Sequence, residues 1–209
     1  MAAKKKTAVE TEKKDIKVSL ELKEMKIPIV GVTPLIMSKF DIKTIREIEE
    51  SAPGKAKQGK KKVDSPEEQY ESSIYYLSDG KTCGMPARNF KAAMVRAAQV
   101  IYNEQMIKTR TLFRVIADDP ASDMIKITGD HRMRTDMVRV GGINKTSCPR
   151  YRAEFPEWSA VLTIQYVSGQ ISEEQIAAYV NAAGFACGVG EWRPEKSNGG
   201  SFGCFRIAN

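Results

Sequence analysis

Met85-Pro-Ala-Arg-Asn-Phe-Lys-Ala-Ala-Met-Val-Arg-Ala-Ala-Gln-Val-Ile101 is the stretch on which the fold turns. Phe90, Ala93, Met94, Ala97 and Ile101 recur at intervals of three and four, the spacing of one helix face. Pro86 suits the start of such a helix, where its missing N–H costs nothing. Ile171 to Ala183 predicts a second helix, opened by Ser172 with Gln175 three residues on, the pattern of a reciprocal cap. Strand signals bracket both helices. Lys17 to Ile29 alternates loosely, and Val30 to Met37 continues as a buried segment broken by Gly31 and Pro34. Ser73 to Leu77 reads as a short strand, Leu112 to Val140 as a strand-rich region, and Ala160 to Val167 as a strictly alternating strand. Phe202, Phe205 and Ile207 predict a closing strand. Two helices on one face of an antiparallel sheet is the economical packing for this order, an α+β fold of ferredoxin or RRM type.

Around that frame, residues 1–14 read as a disordered basic arm and 15–209 as a single domain. A short amphipathic helix is predicted over 42–50. Ala52-Pro-Gly-Lys-Ala-Lys-Gln-Gly-Lys-Lys-Lys-Val63 has little to bury, and predicts a mobile lysine-rich insertion. The acidic run 64–71 is expected to lead into the strand that follows. No apolar run reaches membrane-spanning length and the N-terminus carries no apolar leader, so the expectation is a cytoplasmic protein without a membrane partner. Cys83, Cys148, Cys187 and Cys204 are scattered without metal-ligand spacing and there is one histidine, His131. Reduced thiols, no metal and no cofactor are the simplest reading.

The formal charge of +7 is unevenly placed. Five lysines in the arm face Glu10 and Glu12, and Lys55, Lys57, Lys60, Lys61 and Lys62 have no acid among them. Residues 88–152 hold nine arginines and four lysines against six acids. Such concentration suits a polyanion. Arg132 and Arg134 differ by two positions, so a strand points both to one face, where they can track adjacent phosphates or pair with Asp130 and Asp136. Pro149-Arg150-Tyr151-Arg152 interleaves base with aromatic, a combination that binds single strands by charge and stacking. Trp192 and Arg193 offer the same pair inside a glycine-rich loop, whose glycines permit close approach to a ligand or another chain. His131 lacks a nucleophile nearby and reads as structural.

Three blocks resemble the RAMP superfamily (repeat-associated mysterious proteins), especially the subunits forming the guide-RNA-binding backbone of CRISPR effectors. They are the opening strand ending in Gly31-Val-Thr-Pro-Leu-Ile36, the lead-in to the first helix at Asp79-Gly-Lys-Thr-Cys-Gly-Met-Pro-Ala-Arg-Asn-Phe-Lys-Ala-Ala-Met-Val-Arg96, and Gly188-Val-Gly-Glu-Trp-Arg193 followed by Gly199-Gly-Ser-Phe-Gly-Cys-Phe205. Asp136-Met-Val-Arg-Val140 and Glu154 to Ile164 are similar to the family's central hairpin and following strand. Met85-Pro-Ala-Arg-Asn89 lacks the family's small Gly-Ser-Ser turn, and the chain is short for a backbone subunit, which points to a solitary, phage-encoded relative.

The resemblance implies an RRM-like protein that polymerises along single-stranded RNA or DNA, as a homo-oligomer or beside other CRISPR-like or phage subunits. Carried over by position, Arg88, Lys91 and Arg96 belong to a phosphate site at the first helix. Arg132, Arg134, Arg139 and Lys145 line the hairpin, and Trp192 and Arg193 the glycine loop. Some RAMP proteins cut RNA with an aspartate after the first strand, and Asp41 falls there without the surrounding pattern. The expectation is a noncatalytic binder; the alternatives are a metal-dependent ribonuclease using Asp41 and a protein that mimics or caps a CRISPR backbone.

Overall fold

The chain is built around β1 (Leu22–Gly31), whose apolar residues Ile27 and Ile29 are buried while the alternating Lys26 and Pro28 are exposed. A computed structural model describes residues 20–39, 64–140, 146–196 and 200–208. In chain order β1 is followed by β2 (Leu35–Ile36), α1 (Pro66–Ser72), β3 (Gly84–Pro86), α2 (Ala87–Tyr102) and α3 (Met106–Leu112). Then come β4 (Phe113–Ile116), β5 (Met124–Lys126), β6 (Arg132–Val140), β7 (Thr146–Phe155), β8 (Ser159–Val167), α4 (Glu173–Ala182), a π-helical turn (Ala183–Cys187) and β9 (Phe205–Ile207).

The main sheet has the order β4-β8-β1-β9, with every neighbouring pair antiparallel. β1 and β4 run parallel with β8 between them, and α2 makes the crossover; α4 connects β8 to β9. This is the split β-α-β arrangement of a ferredoxin-like fold. Leu162 and Ile164 of β8 and Ile27 and Ile29 of β1 pack on Phe90, Met94 and Ala97 of α2 and on Ile176 and Val180 of α4. Both helices stand where the apolar periodicity puts them. Ser172 caps α4 reciprocally with Gln175, and α2 ends on Asn103 in the left-handed conformation. Trp158 closes the top of this core: its Nε1 donates to the Thr33 carbonyl at 2.9 Å. Its ring lies so close to Gly31 that a Cβ there would stand 2.2 Å from Nε1.

A second sheet, β2-β7-β6, rises beside the first, and a small β3–β5 ladder precedes α2. Phe155 and Ala153 of β7 face inward against α1, and the Ala153 amide donates to Ser73 Oγ at 2.9 Å. His131 lies with its Nδ1 2.6 Å from Tyr70 Oη and its ring beside Phe155, a structural role.

Two expectations need correction. The acidic run is helix α1, because Ser65 and Glu68 form a capping box with Pro66 at the first helical position. Ser73–Leu77 is no strand: a single bridge joins Tyr76 to Cys83 across a turn in which Asp79 accepts from the Lys81 and Thr82 amides. Ahead of the strand-rich region, α3 forms despite two threonines, with Thr109 buried and its hydroxyl bonded back to the Gln105 carbonyl. The basic arm 1–14, the helix over 42–50 and the insertion 52–63 lie outside the described residues. No helix among the described residues is long and apolar enough to cross a membrane.

Phe90 is fully buried and meets Phe205 edge-on at 5.9 Å between ring centres. Phe90→Ala is expected to lower unfolding free energy by about 3–5 kcal/mol, read as a drop in the denaturation midpoint with an unchanged slope.

Candidate nucleic-acid interface

The β6–β7 register pairs Arg132 with Glu154, Arg134 with Arg152 and Asp136 with Arg150. Paired and alternate residues share a face of a strand pair, so four arginines and two carboxylates stand on one side of this hairpin. Glu154 and Asp136 are buried. Arg132 Nε donates to Glu154 Oε2 at 2.8 Å, and Arg134 Nη1 to Glu154 Oε1 at 2.7 Å. Arg134 Nε also bonds both oxygens of Asp136, at 2.9 and 3.1 Å. Burial alone would raise the Glu154 carboxyl, but the bonds from Arg132 and Arg134 outweigh it and hold it below its ordinary 4.5. The expectation that Arg132 and Arg134 share a face holds, and both spend donors on that carboxylate. Arg134 is half-buried in the network, whereas the Arg132 side chain remains 69% exposed.

The glycine-rich loop covers the inner end of this face. Arg134 stands 4.7 Å from the Phe202 ring centre and 5.6 Å from that of Trp192, with Arg152 5.8 Å from Trp192 on the same ring. Guanidiniums at such distances gain from the ring quadrupole. Trp192 thus stacks on the chain's own arginines. Arg152 Nη1 is buried 4.0 Å from Asp136 Oδ2 and has no hydrogen-bond acceptor among the described residues. Arg193 donates to the Gly190 carbonyl and pairs with Glu195.

The described glycines of the loop serve the fold. Val189 N bonds the Gly203 carbonyl, Gly203 N the Pro34 carbonyl and Glu191 N the Ile36 carbonyl, at 2.8–3.0 Å. Gly203 has φ +66°, and a Cβ there would meet the Val189 carbonyl at 1.8 Å. Close packing of backbone on backbone explains it without a ligand.

Arg88 and Arg96 point outward from α2. Arg96 Nη1 donates to Gln99 and its Nε lies 3.4 Å from Glu195, which joins the helix to the glycine loop. A crevice of about 80 Å³ opens between them, lined by Asn89, Ala92, Gly188 and Arg193. Lys91 sits on the other flank, where burial, with Arg114 and Arg110 nearby, pulls its ammonium below its ordinary value. Arg110 and Arg114 belong to a basic cluster that sequence reasoning passed over, because it is assembled from three separate elements.

The face of β6–β7 therefore collects Arg132, Arg134, Arg150 and Arg152, and the loop brings Trp192 to them, while Arg193 lines the crevice beside α2. Strand alternation puts Tyr151 on the opposite face from Arg150 and Arg152, together with the exposed Arg139. Arg88, Arg139 and Arg150 make no ion pair among the described residues. Asp41, Lys55, Lys57, Lys60, Lys61, Lys62 and Lys145 lie outside the described residues. Among the described residues no three His, Cys, Asp or Glu side chains gather in a way that could hold a metal ion.

The strand order and helix placement define a ferredoxin-like α+β protein with an arginine-rich hairpin. Among solved structures, the chain is similar to Cmr6 from Pyrococcus furiosus, with TM-score 0.43 and 10% identity over 91% of this chain and 100% of that one. It is also similar to a chain in the cryo-EM structure of the Type III-B Cmr-beta bound to cognate target RNA, with TM-score 0.47 and 10% identity over 90% of this chain and 59% of that one. No family model matches the sequence, and no curated protein matches it.

Because the Glu154 carboxyl is held below 4.5 in the folded chain, it contributes stability above its unfolded value that is lost as pH falls through the folded one. Urea unfolding across an acid series is expected to fall more steeply for the native protein than for Glu154→Gln. The difference should vanish once both carboxyl states are protonated.

Proposed function

We propose that this chain is a RAMP-like protein that binds single-stranded RNA or DNA through its phosphates without cutting it, several copies lining up along one strand. The observation that carries the reading is the hairpin face. Four arginines oppose two carboxylates there, and both carboxylates are already engaged by Arg132 and Arg134. Positive charge is left in surplus, with Arg150 exposed at the outer end and the Arg132 guanidinium open to solvent. Arg88 and Arg96 extend the same sign along α2, past the crevice beside Arg193. Backbone phosphates are the ligand this arrangement favours, since guanidiniums match their geometry and a displaced counterion atmosphere supplies the driving force.

The division of labour among the arginines follows from their surroundings. Arg134 and Arg152 are committed to Asp136, Glu154 and the Trp192 ring, so they hold the platform rigid. The arginines free to meet a ligand are the outward ones. Stacking on the main sheet is a poor option: its outer face presents Lys26, Pro28, Val161, Thr163 and Gln165, and among the described residues of β1 and β8 the aromatic, Tyr166, is buried on the inner face. Base contacts then fall to the hairpin and loop.

Anisotropy titrations with labelled single-stranded RNA, single-stranded DNA and duplex DNA at two salt concentrations test this. Tight, salt-sensitive binding to single strands is expected. Arg88→Ala and Arg150→Ala should each weaken it about three- to tenfold, and shrink the slope of log affinity on log salt by about 0.7 for each phosphate no longer neutralised. Absence of binding at low salt, or variants with the native slope, would sink the reading.

A further inference from the structure

One end of the main sheet carries a surface that the nucleic-acid reading does not use. Leu22 pairs with Val167 and Phe113 with Tyr166, so β1 begins, β8 ends and β4 begins at the same end. α2 runs down to this end and hands over to α3; α4 starts there, tied by Tyr166 Oη donating to Glu173 Oε1 at 2.7 Å. The Ser168 amide bonds the Glu21 carbonyl and fastens the first described residues to the same place.

Six large apolar side chains are left in solvent at this end: Leu20, Leu22, Ile101, Tyr102, Met106 and Ile107. Ile107 is 70% exposed and Leu20 64%, although the core of the same domain buries its apolar residues almost completely. Single exposed leucines are ordinary, but a group at one end of a fold marks a contact surface.

The charges around it are sorted. On the β4 side stand Lys108, Arg110 and Arg114, all exposed, with Lys91 near the last two. On the side of β1 and α4 stand Glu21, Glu173 and Glu174, all exposed, with Glu21 3.8 Å from Lys23, which is exposed too. β8 alone separates β1 from β4, so the two wings lie about 10 Å apart at strand level.

We propose that this end is a self-complementary interface for a second copy of the chain. A two-fold rotation lays apolar residues on apolar residues and sets each basic wing against the partner's acidic wing. A polyanion fits less well, because phosphates drawn to Arg110 and Arg114 would run into Glu21, Glu173 and Glu174. The surface lies apart from the hairpin face and can be read without nucleic acid, so it stands or falls separately from the binding function proposed above.

Sedimentation velocity of the full chain, free of nucleic acid, tests the proposal with a charge swap. The native chain is expected to form dimers in a concentration-dependent way. Arg110→Glu with Arg114→Glu makes both wings acidic, and Glu21→Arg with Glu174→Arg makes both basic; each double variant should be monomeric. Their equimolar mixture should regain the dimer, which also shows that both variants are folded. The proposal is overturned by a native chain that stays monomeric, by double variants that dimerise like the native chain, by a mixture no more associated than its parts, or by dimers that appear only when single-stranded RNA is added.

Discussion

The antiparallel ladder between β1 and β8 is the constraint on which the rest of the structure depends. Its register runs from Leu22 opposite Val167 to Val30 opposite Ser159. With β8 inserted beside β1, the chain leaving β1 can reach β4 only by crossing over, and α2 is that crossing. The return from β8 to β9 then places α4 beside it on the same face. A slip of one residue in this ladder would turn Leu162 and Ile164 out of the core and Val161 and Thr163 into it. The hairpin, the glycine loop and the sorted charges at the sheet end all take their positions from this pairing.

Much of this was legible because burial leaves a period in the sequence. Phe90, Met94 and Ala97 announce α2, and the alternation of Ala160 to Val167 announces β8, since each faces one core from one side. What escaped was structure whose cause is not periodic. α1 has no fully buried residue and is defined by its cap, Ser65 with Glu68, inside a run whose acidity draws the eye. α3 holds Thr109 and Thr111, which favour extended chain by composition, and only the corner between α2 and β4 makes it helical. The shared face of Arg132 and Arg134 followed from strand alternation. Their partner Glu154 did not, because cross-strand register depends on a turn whose length the sequence alone leaves open.

The hairpin face also shows why a count of arginines is a poor guide to a binding surface. Arg134 touches two buried carboxylates and two aromatic rings, and removing it would leave Asp136 and Glu154 charged and poorly solvated. Its loss would therefore disturb the fold and the surface together. Arg150, one pair further along the same strand face, has no such obligation. Equal residues in one motif divide into a framework and a working edge, and burial decides which is which.

The stitching of the glycine loop to Thr33–Ile36 carries a consequence for how the chain acquires its shape. β1 has β8 on one side and β9 on the other, and Gly203 bonds back to Pro34. Nearly every contact that completes the first strand comes from the far end of the polypeptide. Closing such large loops costs entropy before any burial repays it, so assembly should be slow for a domain of this size. Until the last strand arrives, the apolar side of β1 and the floor beneath Trp158 stay open, and a newly made chain is at its most vulnerable to clumping in that interval.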